Sequence, residues 1–195
     1  SKWIMADVGA DDTLTLSGTL STGAGGGAGY TKIGDGTLVM SGNNTYLGTT
    51  TISNGILKIT SATALGNTSQ GTVVEDGGTL ELGQSGAMSE PVTINGAGEG
   101  GIGAIYTSGG NADTASTLTL GADATIGGTA RMDHSGETTD GGIGYTLTKT
   151  GSFDFLPSGA ANYSHLVINQ GSVTLTGDSG LPGAPGRVTV NSGTT

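Results

Sequence analysis

The sequence contains no cysteine and few charged or aromatic residues. Without cysteine, the chain has neither a disulfide framework nor a cysteine-ligated zinc site. Charged residues make up 11% of the chain and aromatic residues 4%, less than a compact α/β enzyme normally carries. Almost no segment combines helix-forming residues with a 3.6-residue apolar repeat. No apolar run approaches the roughly 18 residues of a membrane-spanning helix, so we expect no direct membrane insertion.

Positive charge is especially scarce, because 6 lysines and arginines face 16 acidic residues and the net charge is −10. A nucleic-acid interface needs lysine and arginine against the phosphates, so nucleic acid is not an expected partner. The same deficit argues against docking on anionic membranes. The first residues do not resemble a signal peptide, so we expect the targeting signal of a secreted protein to lie outside this sequence.

Glycine is abundant, with 40 residues, and threonine, serine and asparagine accompany it. Glycine and asparagine favour turns, whereas threonine, valine and isoleucine favour strands. The apolar residues lie in short alternating runs, which favours an ordered all-β protein over a disordered chain. One unit recurs, made of a short strand, Asn or Asp, Gly, and a second strand. Its copies occupy residues 51–59, 73–82, 92–96, 167–175 and 188–194.

The turn position of this unit is filled by an amide or a carboxylate side chain. Asn54, Asp76 and Asn95 follow one another at similar intervals, and the interval from Asn169 to Asn191 equals that from Asn54 to Asp76. These intervals are close to the length of one rung of a parallel β-helix, which needs about 20 residues for three short strands and their turns. We therefore predict an all-β, right-handed parallel β-helix, or β-solenoid, in which these five residues form structural turns and axial ladders.

The rungs should stack their aliphatic side chains into one core, with Ile52, Val74 and Val167 pointing inward. A longer repeat is superposed at a nearly constant offset, because residues 32–34 resemble residues 149–151. In the same way, Ala64-Leu65-Gly66 resembles Gly180-Leu181-Pro182. We interpret residues 1–195 as a single β-helix excerpt of a longer protein, with a first long unit at 30–146 and a partial second unit at 147–195.

Residues 30–52 carry a family pattern: Lys32, then Gly-Asp-Gly-Thr-Leu, then Ser-Gly-Asn-Asn-Thr-Tyr, then Thr-Thr-Thr-Ile. This segment resembles the autotransporter-associated β-strand repeat, and the similarity extends to about residue 82. Residues 147–195 resemble a degraded second copy. The resemblance implies a right-handed β-helix in the secreted passenger region of a Gram-negative surface protein, acting as an adhesin or a stalk. It implies no catalytic residue and no cofactor.

Residues with catalytic or metal-binding chemistry are sparse. Asp133, His134 and Glu137 belong to the densest ionic cluster, which could hold a metal or an acid–base pair but is more typical of a solvated loop. His165 comes just before an apolar strand, and no nucleophile-elbow motif is present. Of the aromatic residues that could stack on sugars, Tyr46 occupies the same repeat position as Tyr163, which favours packing. We predict no metal site.

Paired carboxylates could make a polysaccharide-degrading β-helix enzyme. Asp76 fills a repeated turn position, which favours a structural role, and Arg131 is the one basic residue near an acidic cluster. The sequence therefore predicts a protein that is not an enzyme. The candidate carboxylate pairs are Asp11 with Asp12, Glu75 with Asp76, and Asp133 with Glu137.

Three functions remain open. The first is a structural or adhesive module of an extracellular bacterial surface protein, with the irregular stretch 96–116 as the adhesive element. The second is a self-assembling extracellular fibre whose copies stack end to end through unpaired strand edges. The third is the polysaccharide-degrading enzyme. The expected partners are further copies of the chain or a ligand on a cell surface or matrix, and the expected location is the bacterial cell surface.

Overall fold

The computed structural model describes residues 4–22, 27–175 and 186–191, and the structural statements below concern these ranges. The chain winds through about eight coils whose strands pair in parallel with the coils before and after. Outside the strands, a 3₁₀ turn lies at Glu99–Gly101. No helix in the described ranges is long and apolar enough to cross a membrane. The prediction of an all-β parallel β-solenoid is confirmed.

The strands stack into three faces that run along the solenoid axis. Face 1 contains β1 (Ile4–Asp7), β3 (Tyr30–Ile33), β5 (Thr50–Ile52), β7 (Thr72–Val74), β10 (Val92–Gly96), the first part of β13 (Leu118–Gly128), β15 (Thr138–Thr139) and β18 (Ala161–Asn162). Face 2 contains β2 (Thr13–Leu16), β4 (Thr37–Met40), β6 (Gly55–Ile59), β8 (Gly78–Leu82), β11 (Ile105–Thr107), the last part of β13, β16 (Thr146–Lys149), β19 (His165–Ile168) and β21 (Arg187–Val190). Face 3 contains β9 (Gly86–Met88), β12 (Ala112–Thr114), β14 (Met132–His134), β17 (Asp154–Pro157) and β20 (Ser172–Val173).

Coil length varies along the solenoid, as the strand register shows. Thr50 of β5 pairs with Thr72 of β7, an interval close to the one expected from the turn spacing. Val92 of β10 pairs with Leu118 of β13, so the coil between them is longer. This longer coil carries an additional loop at residues 97–104, between β10 and β11. The solenoid therefore absorbs extra residues at a corner without losing strand pairing, as expected for an architecture in which each coil contacts only its neighbours.

Inward side chains stack in columns along each face. On face 2 the register aligns five aliphatic residues of consecutive coils, and each of them is fully buried. Strand alternation places every second residue in this core and the residues between them at the surface. The face 2 column is Leu38, Leu57, Leu80, Ile105 and Ile126.

Ile52 and Val74 are fully buried, as predicted, but Val167 is not a core residue. The register of β19 places Leu166 on Leu147 inside the solenoid and Val167 on Thr148 at the surface. Because side chains alternate between the two sides of a strand, an error of one residue in strand phase reverses every assignment. The inward prediction for Val167 was wrong for this reason.

Lys32 lies inside the solenoid, with no exposed surface. Its ammonium donates hydrogen bonds to the carbonyl oxygens of Ile33 at 2.9 Å and Gly34 at 2.6 Å, in its own corner. A third bond reaches the carbonyl of Asn54, in the corner of the next coil, at 3.1 Å. Burial lowers the pKa of Lys32. The side chain thus links two consecutive corners and supplies a donor to the carbonyls of Gly34 and Asn54, which accept no main-chain hydrogen bond from the described residues.

Lys149 repeats this arrangement at another corner, and it too is fully buried. Its ammonium donates to the carbonyl of Gly151 at 2.9 Å and, one coil on, to that of Gln170 at 2.8 Å. The same nitrogen lies 3.8 Å from the centroid of the Phe153 ring, a cation–π contact. Burial lowers the pKa of Lys149 to about 8.

The two lysine corners occupy different places around the solenoid. Lys32 belongs to the face 1 column with Ile52, whereas Lys149 stacks between Ile126 and Ile168 on face 2. Between them, β13 passes from face 1 to face 2 without a separate corner turn. The similar segments are therefore displaced by one face. The unit boundaries at 30–146 and 147–195 stay a prediction, and residues 180–182 of the second unit lie outside the described residues.

Replacing Leu80 by alanine removes a fully buried side chain from the middle of the face 2 column. We expect the free energy of unfolding to fall by about 2–5 kcal/mol, since both the transfer free energy and the resulting cavity contribute. Urea denaturation followed by circular dichroism measures the change. Thr93→Ala, at an outward position of β10, should alter the unfolding free energy by less than about 0.5 kcal/mol. Equal losses for the two variants would contradict the assigned core.

Buried and exposed lysines should differ in reactivity toward an amine-acylating reagent. Lys58 has a side chain that is 33% exposed, whereas Lys32 and Lys149 have no exposed surface. Mass spectrometry of the briefly labelled native protein should find modification at Lys58 and strong protection of both buried lysines. All three lysines should react in denaturant. Modification of Lys149 at the rate of Lys58 under native conditions would show that its ammonium is not inside the solenoid.

Candidate functional site

Four of the five predicted turn residues lie outside the strands, and Asn95 lies within β10, where the register with β13 shifts. The amide nitrogen of Asn191 donates to the amide oxygen of Asn169 at 2.5 Å, across one coil. The amide of Asn95 donates instead to the main-chain carbonyl of Val74 at 2.8 Å. Amide side chains thus join coils in two ways, side chain to side chain and side chain to backbone.

Asn54 and Asp76 occupy corners between face 1 and face 2, and both are exposed. The amide nitrogen of Asn54 is 3.5 Å from a carboxylate oxygen of Asp35 in the preceding coil. The carboxylate of Asp76 lies against Gly96 of the following coil, where an added Cβ would collide with it. These two contacts are local to the corners, and the roles of the five residues stay a structural prediction.

His134 is not part of a solvated loop. It points inward from β14, is 1% exposed, and has its Nδ1 at 2.7 Å from both the hydroxyl and the carbonyl oxygen of Thr114. Burial lowers the pKa of His134, which favours the neutral imidazole. Asp133 and Glu137 remain on the surface side. The alternation of β14 separates the imidazole from these carboxylates, and no group of three described His, Asp or Glu residues is arranged to hold a metal.

The remaining candidate catalytic groups do not lie together, because Asp133 lines one surface pocket, with Asp113 and Arg131, and His165 lines another. Asp133 forms an ion pair with Arg131, whose Nε is 2.7 Å from a carboxylate oxygen. His165 stacks between Thr146 and Arg187 on the surface of face 2. The other candidate carboxylates are exposed corner residues, namely Asp11, Asp12, Glu75 and Asp76.

A groove of about 390 Å³ lies beside the loop at residues 97–104. One wall contains Gly101 and Ile102 of this loop, and Tyr106 of β11 also lines the groove. We call it the Tyr106 groove. The opposite wall is built from corner residues of the next three coils, which are Gly128, Thr129, Thr150, Gly151, Ser152 and Gln170.

The loop wall is fixed from both sides. The buried hydroxyl of Thr79 donates to the carbonyl of Gly103 at 2.8 Å and accepts a hydrogen bond from the amide of Glu99 at 2.9 Å. On the other side, the carbonyl of Ile102 approaches Gly127 so closely that a Cβ at Gly127 would collide with it. The loop is therefore held by a hydroxyl in the coil before it and requires glycine in the coil after it.

The corner wall is fixed by Lys149, which binds the carbonyls of Gly151 and Gln170 from inside the solenoid. The side-chain oxygen of Gln170 also accepts a hydrogen bond from the amide of Gly151 at 3.0 Å. The φ angle of 81° at Gly151 lies in the left-handed region, where glycine is favoured. Consecutive corners of this wall are thus linked by two independent contacts.

Tyr106 points outward from face 2, between Glu81 in the preceding coil and Gly127 in the following coil. Lys58 forms a 2.6 Å ion pair with Glu81, and the hydroxyl of Ser108 also donates to Glu81. The tyrosine therefore has a charged network on one side. On its other side, Gly127 has no side chain, and the carbonyl of Ile102 occupies the place where its Cβ would be.

The residues lining the Tyr106 groove carry an aromatic ring, hydroxyls, an amide and glycine backbone, but no formal charge. Within residues 27–175, the side-chain hydroxyls of Thr129, Thr150 and Ser152 form no hydrogen bond to another described residue. These groups are available to an uncharged polar ligand. Of this groove, the sequence indicated only the irregular stretch 96–116, because the other lining residues come from later coils.

Glu90 is a buried ionisable group that the sequence did not reveal. It is 3% exposed, and one carboxylate oxygen accepts a hydrogen bond from the hydroxyl of Thr72 at 3.0 Å. Its second carboxylate oxygen is buried without a partner among the described residues. Burial raises the pKa of Glu90 to about 7. Since the carboxyl group is almost inaccessible to solvent, it affects stability and is not placed to act on a substrate.

Parts of the chain are similar to known autotransporter sequences. Residues 31–59 match the passenger-associated-transport-repeat model, which confirms the resemblance carried by residues 30–52. The "Adhesin BmaC autotransporter" of Brucella suis biovar 1 (strain 1330) is 38% identical over 84 residues. That alignment covers 43% of this chain and 2% of the relative, so the matched segment is a small part of that adhesin. No solved structure matches the chain.

Replacing Glu90 by glutamine should remove a pH dependence of stability. The pKa of Glu90 is about 7 in the folded protein against the ordinary 4.5 of a glutamate, so its contribution to stability is complete below pH 4.5 and lost as the pH rises through 7. Between pH 5 and pH 8 the wild type should lose roughly 1–3 kcal/mol more unfolding free energy than the variant, as measured by urea denaturation. Glu75→Gln, at an exposed corner, should follow the wild type. Identical profiles for wild type and Glu90→Gln would contradict the assignment.

Proposed function

We propose that this chain is a structural and adhesive module of an extracellular bacterial surface protein of the autotransporter passenger type. The observation that carries the proposal is a passenger repeat, matched at residues 31–59, inside a parallel β-solenoid. A family repeat that coincides with coils of this solenoid supports a passenger segment located at the cell surface. The much longer relative supports a role as one section of a larger rod.

The structural role is supported by the way each coil is held. Strands pair in parallel with the coil before and the coil after, and the aliphatic columns continue across these pairs. The stability of such a stack is close to the sum of the stabilities of the single coils and of the contacts between neighbouring coils. Coils can therefore be added to lengthen a rod. A net charge of −10 favours solubility in the extracellular medium.

The adhesive role is supported by the loop at residues 97–104, which departs from the regular coil and forms one wall of the Tyr106 groove. The matched relative is named an adhesin, and this name supports the same kind of role here. Binding residues are commonly found on loops that a rigid scaffold positions. In this chain the scaffold is the stack of paired coils on either side of the loop.

A non-enzymatic role is supported by the placement of the ionisable groups. His134 and Glu90 are buried and cannot reach a substrate. The candidate carboxylates of Asp11, Asp12, Glu75 and Asp76 lie at exposed corners, and Asp133 is paired with Arg131. A glycosidase needs two carboxyl groups facing each other across a cleft, separated by roughly 5–10 Å. The Tyr106 groove is lined by no carboxylate.

End-to-end association of copies is a second proposal. Ile4, which stacks on the buried Tyr30 in the first described strand, is 37% exposed, and Val190, which stacks on Ile168 in the last, is 69% exposed. Unpaired strand edges are templates for further parallel pairing, either with additional coils of the same protein or with another copy. Such contacts would extend a rod without changing the structure of a coil.

The surface location can be tested in the bacterium that makes the full-length protein. An antibody raised against the 195-residue chain should label intact cells, and protease added outside the cells should remove the signal. A periplasmic and a cytoplasmic marker should stay unlabelled until the cells are permeabilised. Labelling of the chain only after permeabilisation would contradict the proposal. Beads coated with the chain should bind host cells or matrix if the module is adhesive.

A further inference from the structure

We propose that the Tyr106 groove is a carbohydrate-binding site that takes a neutral saccharide. This inference rests on the proposed function, since it names the ligand class of the adhesive element. The groove volume of about 390 Å³ matches the size range of small-molecule sites. Its lining combines one tyrosine ring with hydroxyl, amide and main-chain groups, which suit a ligand with apolar C–H faces and many hydroxyls.

The absence of charge in the lining selects among ligands. No Lys, Arg, Asp or Glu is among the described residues lining the groove. A phosphate, a sulfated sugar or a sialic acid carries an anionic group that would need a cationic partner there. The ammonium of Lys149 does not fill this role, because it is buried and already bound to the carbonyls of Gly151 and Gln170. A neutral sugar needs no such partner.

Each part of the groove has a chemical role toward a sugar. The ring of Tyr106 supplies an apolar surface, and Ile102 extends it along the loop wall. The hydroxyls of Thr129, Thr150 and Ser152 can each donate and accept a hydrogen bond. Stacking against an aromatic ring together with hydroxyl contacts allows recognition of a pyranose in one orientation.

Hydrogen bonds from buried side chains hold both walls of the groove. Thr79 fixes the loop wall through two hydrogen bonds, and Lys149 fixes the corner wall through two more. Neither side chain is exposed. Because the walls are already held in place, the protein loses less conformational entropy when a ligand binds. This gain favours the binding of a sugar, which makes few strong contacts. Buried supports of this kind also keep the binding surface separate from the residues that hold its shape.

The test uses the isotopically labelled 195-residue chain and nuclear magnetic resonance titrations. The probes are lactose, cellobiose, maltose and N,N′-diacetylchitobiose, with sialyllactose as a charged comparator. At least one neutral probe should shift the amide signals of Gly101, Thr129 and Gly151 with a dissociation constant in the millimolar range. Sialyllactose should bind no more tightly than lactose. If no neutral probe shifts these signals, or if the shifts lie elsewhere on the solenoid, the proposal is overturned.

Variants separate stacking from folding. Tyr106→Ala should weaken binding at least threefold, whereas Tyr106→Phe, which keeps the ring, should stay within threefold of the wild type. Leu156→Ala, at an outward position on face 3, should bind as the wild type does. Each variant is used only if its amide spectrum outside the groove is unchanged. Wild-type affinity in Tyr106→Ala would overturn the assignment of the tyrosine as the stacking surface.

The result can be told apart from a failure of the proposed function. Labelling of intact cells without any groove shift would leave the surface module supported and reject the saccharide site. Sugar binding in the groove without labelling of intact cells would support the site and reject the surface location.

Discussion

Main-chain pairing between consecutive coils constrains every other feature of this solenoid. A strand residue cannot shift along the sequence without changing the register between its coil and the two neighbouring coils. Inward positions therefore hold aliphatic side chains that stack on one another, as Leu57 and Leu80 do. Extra residues are accommodated where no strand pairing is lost, and the loop at residues 97–104 lies at such a corner. Directly after this loop, β11 pairs with the coils on both sides, and the Tyr106 groove lies beside the loop.

Corners leave main-chain carbonyls inside the solenoid without a strand partner, and the chain satisfies several of them with buried lysines. Lys32 and Lys149 each donate to carbonyls of two successive corners. A buried ammonium is costly unless its hydrogen bonds are made, and the lowered pKa of both groups reflects that cost. Lys149 shows how support and surface are connected, because the same contacts that complete the core also shape one wall of the groove.

The sequence predicted the architecture because turn spacing and strand alternation are local patterns. It placed Ile52 and Val74 in the core correctly but assigned Val167 to the wrong side. In a short strand, alternation alone does not decide which of the two sets of residues points inward. It also placed His134 in solvent. The polar residues on either side of His134 make the segment look like an exposed loop, although the histidine side chain points inward. The groove could not be predicted in full, since it joins Tyr106 to residues such as Gln170 from a coil much later in the chain. The distance between Tyr106 and Gln170 depends on the number of residues in each intervening corner.

The displacement of the two lysine corners by one face has a geometric consequence for a long protein of this kind. Motif positions that look equivalent in the sequence point in different directions around the rod. In an array with the same displacement in each unit, each loop would be rotated about the solenoid axis by one face relative to the loop of the preceding unit. Such a rod could meet a surface from any side, and several loops could engage neighbouring ligands without bending the shaft.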